Sequence, residues 1–196
     1  MLIPSERNPI HVYVVTGRVR SGTSMMMHAS IMGGMDAVYG NKRIPKETGY
    51  DPNPNGYFEG VPDDMPDFPD RVAWDGKLFK RIGVAFQDLI HTGVRAKAIF
   101  MMRDTAEVKA SAAKMIGNHK VNEDPEGMLA KMREDVPTAD IIVVNYADVI
   151  ADPLREMTKL AEWGWPIDPV KAASVVNTNL YRHRINGDEV VFIEDE

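Results

Sequence analysis

Residues 11–34 read HVYVVTGRVRSGTSMMMHASIMGG and predict a strand, a tight loop and a helix in direct succession. The opening letters, HVYVVT, are mostly apolar and β-branched, which is typical of a buried strand. Residues 17–22 carry two glycines, and the segment 23–33 is predicted to be a helix that ends at the Gly33-Gly34 pair. A strand that leads into a helix through a glycine-bearing loop is typical of α/β proteins.

Strands and helices alternate through the rest of the chain. Apolar runs predict buried strands at Ala98–Met102 (AIFMM) and Ile141–Asn145 (IIVVN). Apolar residues at helical spacing predict a helix over 77–92, namely Leu78, Ile82, Phe86, Leu89 and Ile90. Other helices are predicted at 125–134 and after three start signals, which are Asp104 with a capping box to Glu107, Asp152-Pro153 and Asp168-Pro169.

This alternation predicts one domain over residues 1–196, with an α/β fold in three layers and a central parallel sheet flanked by helices. The proline-rich stretch at about 40–75 is predicted to be a long loop, and long loops inside compact domains often carry function. The acidic end of the chain, 188–196, is predicted to be a short solvated tail.

The composition argues against several kinds of function. The formal charge of −6 disfavours nucleic acid and anionic membranes as partners, so an anionic ligand requires a local basic site. Without cysteine there are no disulfides, thiolate metal sites or thiol nucleophiles. Apolar runs are too short for a membrane span and the N-terminus lacks a signal-peptide layout, so we expect a cytoplasmic protein.

The loop Gly17–Ser24 (GRVRSGTS) predicts an anion-binding site. Its glycines let the backbone turn tightly and point successive N–H groups into one concavity. The helix N-terminus adds donors and a positive dipole end, Arg20 adds a full charge, and Thr23 and Ser24 add hydroxyl groups. The alternative is a glycine-rich turn whose arginine is only solvated.

The spacing of this loop is that of a Walker A motif, G-x-x-x-x-G-K-[ST], with Thr23 at the lysine position. That lysine normally reaches the β- and γ-phosphates beside magnesium, so its absence argues against an ordinary ATP or GTP enzyme. A kinase also needs acidic magnesium ligands, and Asp104 is the only candidate that follows a predicted buried strand.

A second basic site is predicted at Arg103, which directly follows the strand Ala98–Met102. Ligands of α/β sheets collect at such carboxyl ends. Ser111 lies eight residues later, about two helical turns on, so its hydroxyl can donate to a phosphate that Arg103 holds bidentately. The alternatives are a surface ion pair for Arg103, a small packing residue for Ser111 and a helix cap for Asp104.

The two sites together resemble the P-loop sulfotransferase family that uses 3'-phosphoadenylyl sulfate, in its bacterial branch. Arg20–Ser24 is similar to the family motif [KR]-S-G-T-[ST], and RDTAEVKAS is similar to its strand-end arginine and following serine, here Arg103 and Ser111. Three more stretches resemble the family in matching order, namely Asp51–Glu59 (DPNPNGYFE), Asn145–Pro153 (NYADVIADP) and Val176–Arg184 (VNTNLYRHR).

The resemblance implies a P-loop-type fold and in-line transfer of a sulfuryl group from 3'-phosphoadenylyl sulfate to a hydroxyl or amine of a small-molecule or carbohydrate acceptor. It implies no metal, since Arg20 and the loop N–H groups neutralise charge on the donor. The donor-binding residues implied are Gly17, Arg18, Arg20, Ser21, Gly22, Thr23, Ser24, Arg103 and Ser111. Arg20 and Glu59 are the predicted catalytic residues, Glu59 as the base that takes the acceptor proton.

Glu59 is preferred as the base because Tyr57 and Phe58 precede it and are expected to shield it from water. The alternatives are Glu47, Asp75 and His28, or a Glu59 that only caps a turn or pairs with an arginine.

The chain departs from the family at Val19 and Thr105, where proline is frequent, and it lacks a glycine- and lysine-rich segment near its end. Arg182 or Arg184 are the candidate substitutes, and Trp74 is a candidate to stack on the adenine or an acceptor ring. Two other functions stay open, a P-loop small-molecule kinase and a degenerate nucleotide-binding module without turnover.

Overall fold

A computed structural model describes residues 9–40, 55–59, 70–82, 94–116, 124–181, 183–186 and 189–192. In chain order its elements are β1 (Ile10–Gly17), α1 (Thr23–Met32), α2 (Arg71–Trp74), β2 (Leu78–Ile82), β3 (Val94–Met102), α3 (Thr105–Ile116), α4 (Pro125–Asp135), β4 (Asp140–Asn145), α5 (Tyr146–Ala151), α6 (Pro153–Glu162), α7 (Pro169–Ser174), β5 (His183–Asn186) and β6 (Glu189–Phe192). None of the helices in these ranges is long and apolar enough to cross a bilayer.

The four strands β1 to β4 form one parallel sheet in the order β2-β1-β3-β4, which confirms the predicted fold class. Gly17 lies opposite both Ile82 and Met101, and Met102 lies opposite Asn145, so all four strands end at the same edge. After β1 the chain forms β2 on one side of that strand and then β3 on its other side. Such a reversal of strand order opens a crevice at the carboxyl ends, where ligands of α/β sheets bind.

Both faces of the sheet are buried, which gives the three layers. Successive side chains of a strand point to opposite faces, so Phe100 joins a core with α2 and α4, while Ile99 joins a second core with α1, α5, α6 and α7. Trp74, only 1% exposed, lies in the first core with its ring 5.3 Å from that of Phe79. It is therefore not available to stack on a ligand, and that prediction is wrong.

The predicted helix over 77–92 is wrong where it can be compared, because Leu78–Ile82 is the edge strand β2. The spacing of Leu78 and Ile82 fits a helix, but hydrogen bonding to β1 decides the conformation. Three consecutive residues, Leu78, Phe79 and Lys80, are buried, so the strand shows no polar–apolar alternation in its sequence. The remainder of that prediction, 83–92, lies outside the described residues.

The predicted helix starts are confirmed. Asp104 accepts from the backbone N–H of Ala106 and Glu107, and Asp152 and Asp168 cap α6 and α7 in the same way. The reciprocal half of the predicted capping box is wrong, since the Glu107 carboxylate faces other partners described below.

The predictions for loop and tail need correction at their ends. Residues 55–59 are irregular as expected, but Arg71–Trp74 forms the short helix α2. Glu189–Phe192, predicted as part of a solvated tail, instead pairs with His183–Asn186 as an antiparallel hairpin. The segments 41–54, 60–69 and 193–196 lie outside the described residues.

Candidate anion-binding site

The loop between β1 and α1 turns through three left-handed residues. Gly17 and Gly22 have φ of 143° and 97°, and Arg20 between them has φ of 66°. A side chain at Gly17 would come within 2.6 Å of the Met101 carbonyl oxygen, and one at Gly22 within 2.4 Å of the Tyr146 ring. Both glycines are therefore required by conformation and by close packing.

Arg18 is a structural anchor of this loop. Its buried guanidinium donates to Thr105 Oγ1 at 3.0 Å and to the carbonyl oxygen of Arg103. Burial lowers the pKa of Arg18, an effect that Asp104 partly offsets. Ser21 Oγ, also buried, donates to the Arg18 carbonyl at 2.8 Å. The predicted role of Arg18 and Ser21 in holding a donor is thus not evident from their side chains, which tie the loop to the end of β3.

The structure joins the two predicted basic sites. Arg20 Nε donates to Ser111 Oγ at 3.0 Å, although the two residues are 91 positions apart in the chain. Ser111 is only 4% exposed and lies two turns into α3. The half-buried side chain of Arg20 therefore lies along the start of α3. The sequence predicts that Ser111 shares a phosphate with Arg103, and the structure places Arg20 in contact with the Ser111 hydroxyl group.

Arg103 is held by the protein on all three of its nitrogens. Nε donates to Glu107 Oε2 at 2.9 Å, Nη1 to the carbonyl of Arg20 at 3.1 Å and Nη2 to the carbonyl of His183 at 2.8 Å. The rings of Tyr146 and Tyr181 lie 4.7 and 5.2 Å from its central carbon. The alternative of an ion pair is present, as a buried one, and the bidentate hold on a phosphate stays a prediction.

Lys80 is a buried cation beside the loop that sequence reasoning missed. Its residue is only 5% exposed, and Nζ donates to Ser24 Oγ at 3.0 Å and to the carbonyl of Tyr57. Glu59 Oε1 lies 3.0 Å from the same nitrogen. Burial lowers the pKa of Lys80, and the nearby Glu59 carboxylate opposes that shift. The signal for this residue in the sequence is a lysine inside the apolar run LFKRI, which indicates a buried cation only if the run is interpreted as a strand and not as a helix.

Glu59 contacts Lys80 but is not shielded from water. Its side chain is 51% exposed, whereas Phe58 is turned inward with φ of 53° and packs on His28 and Tyr39. Burial lowers the pKa of His28, so its imidazole is neutral near pH 7. The predicted neighbourhood of Glu59 is thus only partly right, because Phe58 does not cover it.

Two other candidate bases are placed differently. Asp75 accepts from the backbone N–H of His11, near the start of β1 and at the opposite end of the sheet from the loop. It cannot serve the predicted site, so that alternative is excluded. Glu47 lies outside the described residues.

Tyr146 is a second residue that sequence reasoning left without a role. It begins α5 directly after β4, where its buried ring supports Gly22 and faces Arg103. Burial raises the pKa of its phenol. Of the substitutes for a basic C-terminal segment, Arg184 folds back to donate to the Tyr181 carbonyl at 2.7 Å, and Arg182 lies outside the described residues.

No family model matches the chain, and a search of the curated proteins found no match. Within the described ranges, no three His, Asp or Glu side chains come together as a group that can hold a metal ion. The fold and the site define an α/β protein with a glycine-bearing loop where the strand order of its parallel sheet reverses.

Proposed function

We propose that the protein transfers a sulfuryl group from 3'-phosphoadenylyl sulfate to a hydroxyl or amine of a small-molecule or carbohydrate acceptor. The observation that carries the proposal is the contact of Lys80 with Ser24 and Glu59, at the first turn of α1. It brings a cation, a hydroxyl group and a carboxylate together beside the helix N-terminus, where anions bind.

Lys80 and Arg20 have the charge that the leaving group requires. In the transfer, the acceptor oxygen or nitrogen bonds to sulfur while the bond from sulfur to the 5'-phosphate oxygen breaks. The electron pair of that bond passes to the phosphate, and adenosine 3',5'-bisphosphate leaves. Cations beside the breaking bond stabilise this developing charge. They are already in position before the reaction, so no free energy is spent on rearranging the site.

Glu59 is the proposed base. The acceptor must lose a proton as it attacks, and Glu59 Oε1 lies 3.0 Å from the ammonium that faces the anion loop. Its exposed side supports approach of an acceptor from solvent. After transfer the proton resides on this carboxylate and passes to water.

Arg20, Ser111 and the charge of Arg103 support binding of a second anionic group. The Arg20–Ser111 contact joins the loop to α3, so a ligand with phosphates at both its 5' and 3' positions can engage both elements. Arg103 Nη1 donates to the Arg20 carbonyl, so the positive charge of Arg103 lies beside this contact.

The test is release of adenosine 3',5'-bisphosphate from the donor, measured with a panel of phenols, alcohols, amines and sugars. We expect release that depends on an acceptor and falls at least a hundredfold in Lys80→Met, since a missing electrostatic donor costs about 10²–10³ in turnover. The control is Lys97→Met, a strand lysine whose ion pair with Asp140 lies at the other end of the sheet. Cleavage of ATP with magnesium in place of the donor would favour the kinase, and binding of the donor without turnover would favour the binding module.

A further inference from the structure

The C-terminal hairpin β5–β6 is fastened to α3 beside the anion site. Tyr181 Oη and the backbone N–H of Ile185 both donate to Glu107 Oε1, at 2.5 and 3.0 Å. Lys114 Nζ lies 3.1 Å from the centre of the Phe192 ring. These contacts hold the hairpin against α3, on which Glu107 and Lys114 lie on either side of Ser111 in sequence.

His183 is buried with an unsatisfied nitrogen. The residue is 7% exposed, and its Nε2 has no hydrogen-bond partner. The centre of its ring lies 5.0 Å from that of the Phe192 ring. This contact helps to bury the imidazole but gives Nε2 no hydrogen-bond partner. A buried polar atom without a partner costs free energy, so a ligand that supplies one is favoured at this point.

The surroundings of His183 are positively charged. Arg20 faces it from the loop after β1, Arg103 from the end of β3, and Lys114 from α3. Glu107 is the anion that opposes them, and it already pairs with Arg103 at 2.9 Å. One guanidinium also links the backbones, since Arg103 donates to the carbonyls of both Arg20 and His183. The unsatisfied nitrogen therefore lies in the field of several cations, a setting that is suited to an anion.

We propose that His183 Nε2 binds a phosphate monoester dianion held between Arg20, Ser111 and the C-terminal hairpin. This inference rests on the proposed function where it assigns that dianion to the 3'-phosphate of the nucleotide. The same chemistry is offered by free inorganic phosphate, and the experiment separates the two sources.

The ligand changes the protonation of His183. In the ligand-free protein, burial and the cations Arg103, Lys114 and Arg20 lower the pKa of His183 to about 4. A dianion in contact with Nε2 favours the imidazolium and cancels the field of those cations, so binding raises the pKa. A purely structural histidine on the hairpin would not respond in this way.

The test is a proton NMR titration of the His183 ring, assigned with His183→Gln, in free protein and with each of three probes. The probes are adenosine 3',5'-bisphosphate, 5'-AMP and inorganic phosphate. We expect the bisphosphate to raise the pKa of His183 by at least one unit and 5'-AMP to leave it near the free value. If calorimetry shows that the bisphosphate binds while the His183 pKa is unchanged, the inference is overturned and the proposed function stands.

Variants supply the second readout. His183→Phe keeps a ring against Phe192 but removes the donor, and we expect it to weaken bisphosphate binding at least tenfold, the range of a hydrogen bond to a charged group. His183→Gln retains a hydrogen-bond donor, so its affinity for the bisphosphate should stay within about threefold of that of the parent. His11→Gln, at an exposed histidine on β1, is the control.

Equal affinity in His183→Phe and the parent would contradict the assignment. A pKa raised by inorganic phosphate, with no binding of the bisphosphate, would support His183 as a phosphate ligand and overturn the proposed function.

Discussion

Lys80 Nζ, on the edge strand β2, lies 3.0 Å from Ser24 Oγ, 56 residues away at the first turn of α1. The loop has Thr23 where a Walker A motif has its lysine, and the neighbouring strand places a lysine ammonium group beside the next residue, Ser24. Ser24 Oγ donates in turn to the Tyr57 carbonyl, which fixes the hydroxyl group and brings Glu59 alongside.

Replacing Lys80 should separate stability from activity. Burial disfavours its ammonium, and Glu59, half exposed, does not become an unpaired buried charge when the lysine is removed. We therefore expect Lys80→Met to change the free energy of unfolding by less than about 1 kcal/mol in urea, while donor turnover is lost. A loss of several kcal/mol would show that Lys80 is held mainly for the fold.

Arg103 should matter more for stability than an exposed arginine does. Arg103→Ala leaves Glu107, 4% exposed, without its cation, so we expect a loss of about 3–5 kcal/mol in the free energy of unfolding. Lys131→Ala is the matched control, because Lys131 forms an exposed pair of the same i,i+4 spacing with Asp135 and its loss should change stability little. The double variant Arg103→Ala, Glu107→Gln should recover part of the loss, and full additivity of the two changes would contradict the pairing.

His183 should make the ligand-free protein sensitive to acid. Its pKa is lowered to about 4 in the folded state from an ordinary value of 6.5, so the unfolded chain binds more protons below about pH 6.5. Stability should fall as the pH decreases from about 6.5 toward 4, by up to about 3 kcal/mol. The measurement is the difference in unfolding free energy between parent and His183→Phe at each pH, in which the titration of shared carboxylates cancels. A difference that does not vary with pH would contradict the burial of a neutral imidazole.

Glu59 should be needed for turnover and not for binding. Glu59→Gln keeps the shape of the side chain but removes the basic oxygen, so we expect turnover to fall by about 10²–10⁴-fold. Affinity for adenosine 3',5'-bisphosphate should be retained, and Glu162→Gln, at an exposed position of α6, should behave like the parent. Near-normal turnover in Glu59→Gln would remove it as the base and leave His28 and Glu47 as candidates.

Local chemistry made much of the fold predictable. Proline and aspartate mark the starts of α6 and α7 because the cap depends on two or three adjacent residues. The apolar runs at β3 and β4 are buried on both faces, so they need no alternation to be recognised. The local pattern of β2 favours a helix, but its conformation comes from pairing with β1, which no local pattern contains.

The parts of the candidate site that lie close together in sequence were predictable, whereas the contacts between distant segments were not. The glycines and Arg20 stand in one loop, and Arg103 and Glu107 are four residues apart, a spacing that allows an ion pair. The contacts of Lys80 with Ser24, of Arg20 with Ser111 and of Glu107 with Tyr181 each join segments more than 50 residues apart. Only the sheet order and the hairpin bring those segments together.

The central claim is that the Gly17–Ser24 loop and the Arg20–Ser111 contact bind a nucleotide with phosphates at both 5' and 3' positions. Calorimetry in EDTA with adenosine 3',5'-bisphosphate and 5'-AMP, and with ATP and magnesium in a separate titration, tests it most directly. We predict that the bisphosphate binds at least tenfold more tightly than either other nucleotide, as one charged contact to the 3'-phosphate requires, and that its affinity is the same when EDTA is omitted. Equal affinity for 5'-AMP, or tighter binding of ATP with magnesium, would contradict the account.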